Sequence, residues 1–169
     1  DDIAAGDEFL EFLEHGLTFS NLLRVVLARA ALSRRGYVKK ENSGDDMTAL
    51  SDYPITRRWP PVRQGVIQLY TLNTPNGIKT SVMLEECGLD YDAHRISISD
   101  PEDQLTPEFL SLNPNNKIPA MIDPNGPDGQ PIGIFETGAI LIYLGDKTGK
   151  FLPKSGAARY HTIQWLMWQ

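Results

Sequence analysis

The chain has 169 residues, 41% hydrophobic and 22% charged, with a net charge of −6. These values exclude a wholly disordered chain, a collagen-like fibre and a disulfide-rich scaffold. The acidic balance argues against a nucleic-acid partner, and no run of about 18 apolar residues offers a membrane span.

Cys87 is the single cysteine, so an internal disulfide, a Cys-x-x-Cys redox pair and a cysteine-based zinc site are all excluded. His15, His94 and His161 lie far apart without ligand spacing, and no metal is expected. The chain opens Asp1-Asp2 with no basic stretch behind it, so no signal peptide is read and a reducing, cytoplasmic compartment is expected.

Four stretches follow one another. Residues 1–41 read as a helical segment. Phe9, Leu10, Phe12, Leu13 and Leu17 recur at helical spacing, and a second helix runs from Ser20 or Asn21 to Arg34-Arg35 before Gly36. A packed helical hairpin fits this better than a membrane or calmodulin-target helix. Residues 42–65 read as a linker, with Glu41-Asn42-Ser43-Gly44-Asp45-Asp46 polar and small, and Pro54, Pro60 and Pro61 keeping the chain extended.

Residues 66–149 alternate strand and helix. Val66 to Tyr70 is an apolar strand, Thr74-Pro75-Asn76-Gly77 a turn, and Ile78 to Glu86 a helix stopped by Gly88. Tyr91 to Ile98 is a second strand. Thr106-Pro107-Glu108 opens a helix, with Thr at the cap, Pro at the first position and an acid in the first turn. Asn113 to Pro119 is a loop, Ala120 to Asp123 a strand, Pro124 to Gly129 a turn and Gln130 to Phe135 a fourth strand. Glu136-Thr137 then opens a helix to Lys147. Residues 150–169 read as a linker and the start of a further helix with Ile163, Trp165, Leu166 and Trp168.

The order β-α-β-α-β-β-α resembles a thioredoxin-like α/β fold. Where thioredoxins and glutaredoxins carry Cys-Pro-x-Cys before the first helix, this chain has Thr74-Pro75-Asn76-Gly77. A thiol acting there must be brought in. Asn113-Pro114-Asn115-Asn116-Lys117-Ile118-Pro119 resembles the glutathione transferase loop that ends in a cis proline. Phe135-Glu136-Thr137-Gly138-Ala139-Ile140 resembles that family's Glu-Ser-x-Ala-Ile helix start, with Thr keeping the hydroxyl of the usual Ser. Thr74-Pro75-Asn76-Gly77 with Leu84-Glu85-Glu86 is similar to the Nu-class bacterial glutathione transferases with disulfide-bond reductase activity. The resemblance covers about Leu50 to Gln169.

The resemblance implies glutathione or glutathione disulfide as bound cosubstrate, a small electrophile or disulfide as second substrate, and a homodimer. Thr74 and Asn76 are the expected catalytic residues, hydrogen-bonding a thiolate held at a helix N-terminus. Glu136 is expected to pair with the γ-glutamyl ammonium, and Thr137 to hold the neighbouring carboxylate. Ile118 would pair its backbone with the cysteinyl backbone beside a cis Pro119. Lys117 would face the glycyl carboxylate, with Asn116 and Gln104 assisting. Plainer roles stand beside these. These are Thr74 and Asn76 as ordinary turn and cap residues, Glu136 as a first-turn carboxylate, and Lys117 and Gln104 as exposed loop residues.

Phe151-Leu152-Pro153 resembles the linker to the all-helical second domain of full transferases, and Ala157 to Gln169 the first helix of that domain. Residues 23–36 faintly resemble the last helix and tail of such a domain, and Met47 fits a native start of the transferase. Two functions are therefore expected from different classes. One is glutathione-dependent transfer or disulfide exchange. The other is a non-catalytic glutathione-binding or interaction module of the same fold. Turnover of a mixed disulfide separates them.

Overall fold

The computed structural model describes residues 50–99 and 101–168, and the expectations for residues 1–41, the first part of 42–65 and Met47 lie outside them. The described residues fall into two compact units divided after Leu141.

The first unit is built on a four-stranded sheet of order β2-β1-β3-β4. Strand β1 is Ile67–Thr71, β2 Tyr91–Arg95, β3 Ala120–Asp123 and β4 Ile132–Phe135. β1 and β2 are parallel, whereas β3 runs antiparallel to both β1 and β4. The parallel pair needs a crossover, supplied by the thirteen-residue helix Pro75–Cys87. Three more helices complete this unit's order: Ile55–Arg58 before β1, then Pro101–Gln104 and Pro107–Leu112 between β2 and β3. In chain order we label these α1 (Ile55–Arg58), α2 (Pro75–Cys87), α3 (Pro101–Gln104) and α4 (Pro107–Leu112). Helix α5, Thr137–Thr148, follows β4 and crosses the unit boundary, and α6 is Gly156–Met167. A 3₁₀ turn at Pro127–Gly129 joins β3 to β4.

Each element starts and stops for a local reason. Thr74 caps α2 with its side chain, Pro75 takes the first helical position, and Gly88 closes the helix at φ 72° in the left-handed region. Thr106 and Pro107 open α4 in the same way, with Thr106 Oγ1 accepting from the Phe109 N–H at 3.3 Å.

β1 is buried throughout all but its last residue, as a central strand covered on both faces must be. Tyr70, Ala120 and Ile122 pack on one face with Ile55 from α1, Phe109 and Leu112 from α4, Leu50 and Ile96. Leu69 and Met121 alternate to the other face and are fully buried.

The reading of Pro54 to Pro61 as extended linker is corrected at Pro54. That proline sits at φ −56°, ψ −28°, and the chain turns from it into α1, whose Ile55 is fully buried in the core. Proline's fixed φ is compatible with a helix start, and burial of Ile55 supplies the stabilisation a four-residue helix lacks alone. β2 ends at Arg95, short of the expected Ile98, and Ser97 N–H is held by the Asp103 carboxylate at 2.9 Å.

In the second unit, the Arg159 guanidinium reaches back from α6 to both carboxylate oxygens of Asp146, at 2.7 and 2.9 Å, and to the Pro153 carbonyl at 3.2 Å. Helix α6 exposes Tyr160 and Trp165, and Trp168 at its C-terminal end is exposed as well. Trp165 and Trp168 stack edge to face, 5.7 Å between centroids.

Candidate functional site

The strand register brings three connections together. His94, Tyr70, Ala120 and Phe135 form one row across the sheet. One step past that row lie Thr71 and the entry to α2, Pro119 ahead of β3, and Glu136 behind β4. Neighbouring strands are about 4.8 Å apart, so the points where the three connections leave or enter β1, β3 and β4 fall within roughly 10 Å at one end of the sheet. Thr74, Asn76, Asn116, Lys117, Ile118, Pro119, Glu136 and Thr137 all belong to them.

The first connection ends in a helix N-terminus. Thr74 is extended at φ −122°, ψ 163°, and its Oγ1 accepts the Gly77 N–H at 3.2 Å. An oxygen that accepts there keeps its own proton to donate elsewhere. Asn76 is exposed, and its Oδ1 accepts from Lys79 Nζ at 3.3 Å, leaving the amide N–H₂ as the outward donor. Free N–H groups and the aligned peptide dipoles give this end of α2 about half a positive charge.

The second connection is a tight loop. Asn113, 2% exposed, donates from Nδ2 to the Lys117 carbonyl at 2.6 Å and accepts the Asn115 N–H at 2.9 Å. Asn116 takes φ 50°, a left-handed conformation that Asn tolerates better than most residues. The Ile118–Pro119 peptide bond is cis, as expected. Ile118 is half-buried against the core, Pro119 is buried and Lys117 is exposed.

In the third connection Glu136 holds φ 78°, in the left-handed region, and its carbonyl accepts the Ile140 N–H at 3.0 Å in the first turn of α5. Its carboxylate is exposed, while Thr137 is only 3% exposed. A non-glycine residue in this region costs of order 1–3 kcal/mol and persists only where its surroundings impose it. Here the chain must leave β4 and enter α5 without a spacer.

Gln104 stands apart from these three. It ends α3, beyond the same end of the sheet on the β2 side, and donates to the Ile98 carbonyl at 3.4 Å. Asp103 beside it anchors α3, taking Ser97 N–H and, at 3.2 Å, Arg58. That anchor has no local sequence signal. A shallow cavity of about 290 Å³ also opens on the β2 side, lined by Thr71, Leu72, Asn73, Ala93, His94 and Arg95.

Sequence reasoning also missed a buried polar chain behind the site. Asp92 accepts the Val62 and Arg63 N–H groups at 2.9 and 2.7 Å and the Arg63 Nε at 2.8 Å. Gln68 links Asp92, at 3.3 Å, to His94, at 2.8 Å, and His94 stacks on Tyr70 with centroids 4.8 Å apart. Burial raises the Asp92 carboxyl, but the Arg63 and Gln68 hydrogen bonds outweigh it and hold the group below its ordinary value. His94 is lowered by burial, against the opposing pull of Asp92, and stays neutral near pH 7. Burial and Asp92 raise the Tyr70 phenol, which is no acid or base in the neutral range.

Cys87 is buried at the far end of α2 from Thr74. Among the described residues no cluster of three or more His, Cys, Asp or Glu could hold a metal ion, and no helix is long and apolar enough to cross a membrane.

A thioredoxin-like sheet with no cysteine at the helix entry, beside a cis proline and an acidic residue ahead of the last helix, has the architecture of the N-terminal domain of glutathione transferases. Residues 75–147 match the family described as glutathione S-transferase, N-terminal domain. Over this domain the chain is similar to glutathione transferases, and the relatives it matches include bacterial transferases and disulfide-bond oxidoreductases.

It is 48% identical over 105 residues to the disulfide-bond oxidoreductase YfcG of Escherichia coli, covering 62% of this chain and 48% of that protein. A Pseudomonas putida glutathione transferase, solved with one glutathione disulfide bound per subunit, is 58% identical, with a TM-score of 0.67 over 70% of this chain and 51% of that one. A Burkholderia graminis transferase with two glutathione molecules per subunit is 57% identical, with a TM-score of 0.69 over 78% of this chain and 52% of that one. The chain spans about half the length of the relatives it matches.

Proposed function

We propose that this protein binds glutathione at the end of the sheet where the three connections converge, and uses it for thiol–disulfide exchange or transfer. The observation that carries this reading is the register that sets Thr71, Pro119 and Glu136 side by side, with no cysteine of the chain among them. The working thiol then belongs to the bound peptide.

The chemistry follows from the groups present. A free thiol titrates near 8.5, and each unit of depression corresponds to about 1.4 kcal/mol. The α2 N-terminus, the Thr74 hydroxyl and the Asn76 amide all favour the thiolate. The Glu136 carboxylate suits the γ-glutamyl ammonium, with the start of α5 at Thr137 for its carboxylate. Ile118 offers its backbone as a strand edge beside Pro119, and Lys117 is free to meet the glycyl carboxylate, with Asn116 and Gln104 at the margin.

In the exchange step the glutathione thiolate attacks one sulfur of a disulfide. A new S–S bond forms, the old one breaks, and the departing sulfur leaves as a thiolate that takes a proton from solvent. A second glutathione thiolate then attacks the mixed disulfide, releasing glutathione disulfide and the second half of the substrate as a thiol. With a small electrophile in place of the disulfide, the same thiolate forms a C–S bond and displaces the electrophile's leaving group as an anion to solvent. We further propose residues 66–149 as the glutathione-binding domain, a cytoplasmic location and assembly as a homodimer, on the likeness to the family.

The test is turnover of a small mixed disulfide with glutathione, coupled to glutathione reductase, together with binding of glutathione disulfide. The parent is expected to bind, and Asn76→Ala to bind or turn over several-fold less well. Equal affinity and equal turnover in the variant would remove Asn76 from the site. Binding without turnover would favour the non-catalytic module.

A further inference from the structure

We propose that Gly77 is a positioning residue: its missing side chain lets the N-terminus of α2 sit against the end of β1 at the height that places Thr74 beside a bound thiol. This inference rests on the glutathione reading above and adds a residue that acts on the site through others.

Gly77 does not need its freedom of φ, because it lies inside a regular helix. It needs the space. A Cβ there would come within 2.1 Å of the Leu72 carbonyl oxygen and 2.4 Å of Thr71 Oγ1. Real Cβ atoms never come so close, and one of the two obstacles is backbone that cannot rotate away. Both belong to the strand end and loop that lead into Thr74. The helix therefore rests on its own entry loop through Gly77.

The same residue also orients the hydroxyl. The Gly77 N–H donates to Thr74 Oγ1 at 3.2 Å, which fixes the oxygen and turns its proton outward. The Thr74 N–H meanwhile donates to the Leu72 carbonyl at 2.7 Å, so the carbonyl that blocks a Cβ at residue 77 is also bonded to the cap residue. Any side chain at residue 77 must move α2 or Leu72, and either motion displaces Thr74 and Asn76. Charge-assisted hydrogen bonds fall off steeply with distance and angle, so a shift well under an ångström is enough to weaken thiolate stabilisation.

The experiment titrates the thiol of bound glutathione by its ultraviolet thiolate absorbance, on the full chain, in the parent and in Gly77→Ala. Gly126→Ala is the comparison. Its Cβ would meet the Gln130 carbonyl at 2.5 Å, a similar clash in the β3–β4 turn at the opposite end of the sheet. Both variants are expected to unfold at lower temperature than the parent. Only Gly77→Ala is expected to raise the bound thiol's titration midpoint, by about one unit, a tenfold fall in the thiolate-to-thiol ratio. Should Gly77→Ala not fold, Thr71→Val decides: it crowds the same gap from the strand side, and the midpoint should move the same way by a smaller amount.

An unchanged midpoint in a folded Gly77→Ala or Thr71→Val, with the parent's midpoint lowered, overturns this inference and leaves the glutathione reading standing. An equal rise in Gly126→Ala overturns it as well. A parent that binds glutathione but leaves its thiol at the solution value overturns the glutathione reading and this inference with it.

Discussion

At the residue scale, Glu136 combines a strained backbone with the carboxylate to which we assign glutathione binding. It sits at φ 78°, where glycine would be unstrained, yet it carries the exposed carboxylate at the head of α5. Glu136→Gly should therefore raise the unfolding free energy by about 1 kcal/mol while weakening glutathione binding. Glu136→Gln keeps the strained backbone and loses the charge, so it should weaken binding with little change in stability. Denaturant unfolding and calorimetric titration on both variants check this pair of signs. A stability loss in Glu136→Gly would mean that the left-handed backbone is not what the side chain opposes. The strain itself was not legible in the sequence. Glu136 reads there as a first-turn carboxylate, and only the register of β4 against β3 shows that α5 must begin at once.

At the element scale, the buried polar chain from Arg63 through Asp92 and Gln68 to His94 ties the segment before β1 to the parallel strand pair. His94 stays neutral in the fold because burial lowers it below its ordinary value, while in the unfolded chain it titrates near 6.5. The unfolded state thus binds the proton more readily, and stability must fall as pH drops below about 6.5. His94→Gln retains a donor toward Gln68 and cannot titrate. We expect the parent's unfolding free energy to decline between about pH 7 and pH 5, and the decline to shrink in His94→Gln. Parallel curves would show that the proton goes elsewhere.

Much at this scale was legible. Caps such as Thr74-Pro75 and Thr106-Pro107 and the stop at Gly88 write their own boundaries, since each satisfies backbone groups locally. What stayed hidden depends on distant partners. Ile55 forms a helical turn because the core buries it, and β2 ends early at a segment whose Ser97 N–H meets Asp103. Gln68 looks misplaced in a strand until Asp92 and His94 are beside it.

At the scale of the molecule, the candidate site is a property of the sheet order. No single element holds it. The β1–β3–β4 neighbours bring together residues from 74 to 137 of the sequence. The motifs were readable one by one, and the resemblance to glutathione transferases assembled them, but the register supplies the geometry.

The most direct measurement of the central claim is a titration of the isotope-labelled full chain with glutathione disulfide, following backbone amide resonances. We predict saturable shifts concentrated at residues 74–78, 116–118 and 136–138. Shifts confined to the cavity around Asn73, Ala93 and Arg95, or to α6, or the absence of any saturable shift, would contradict it.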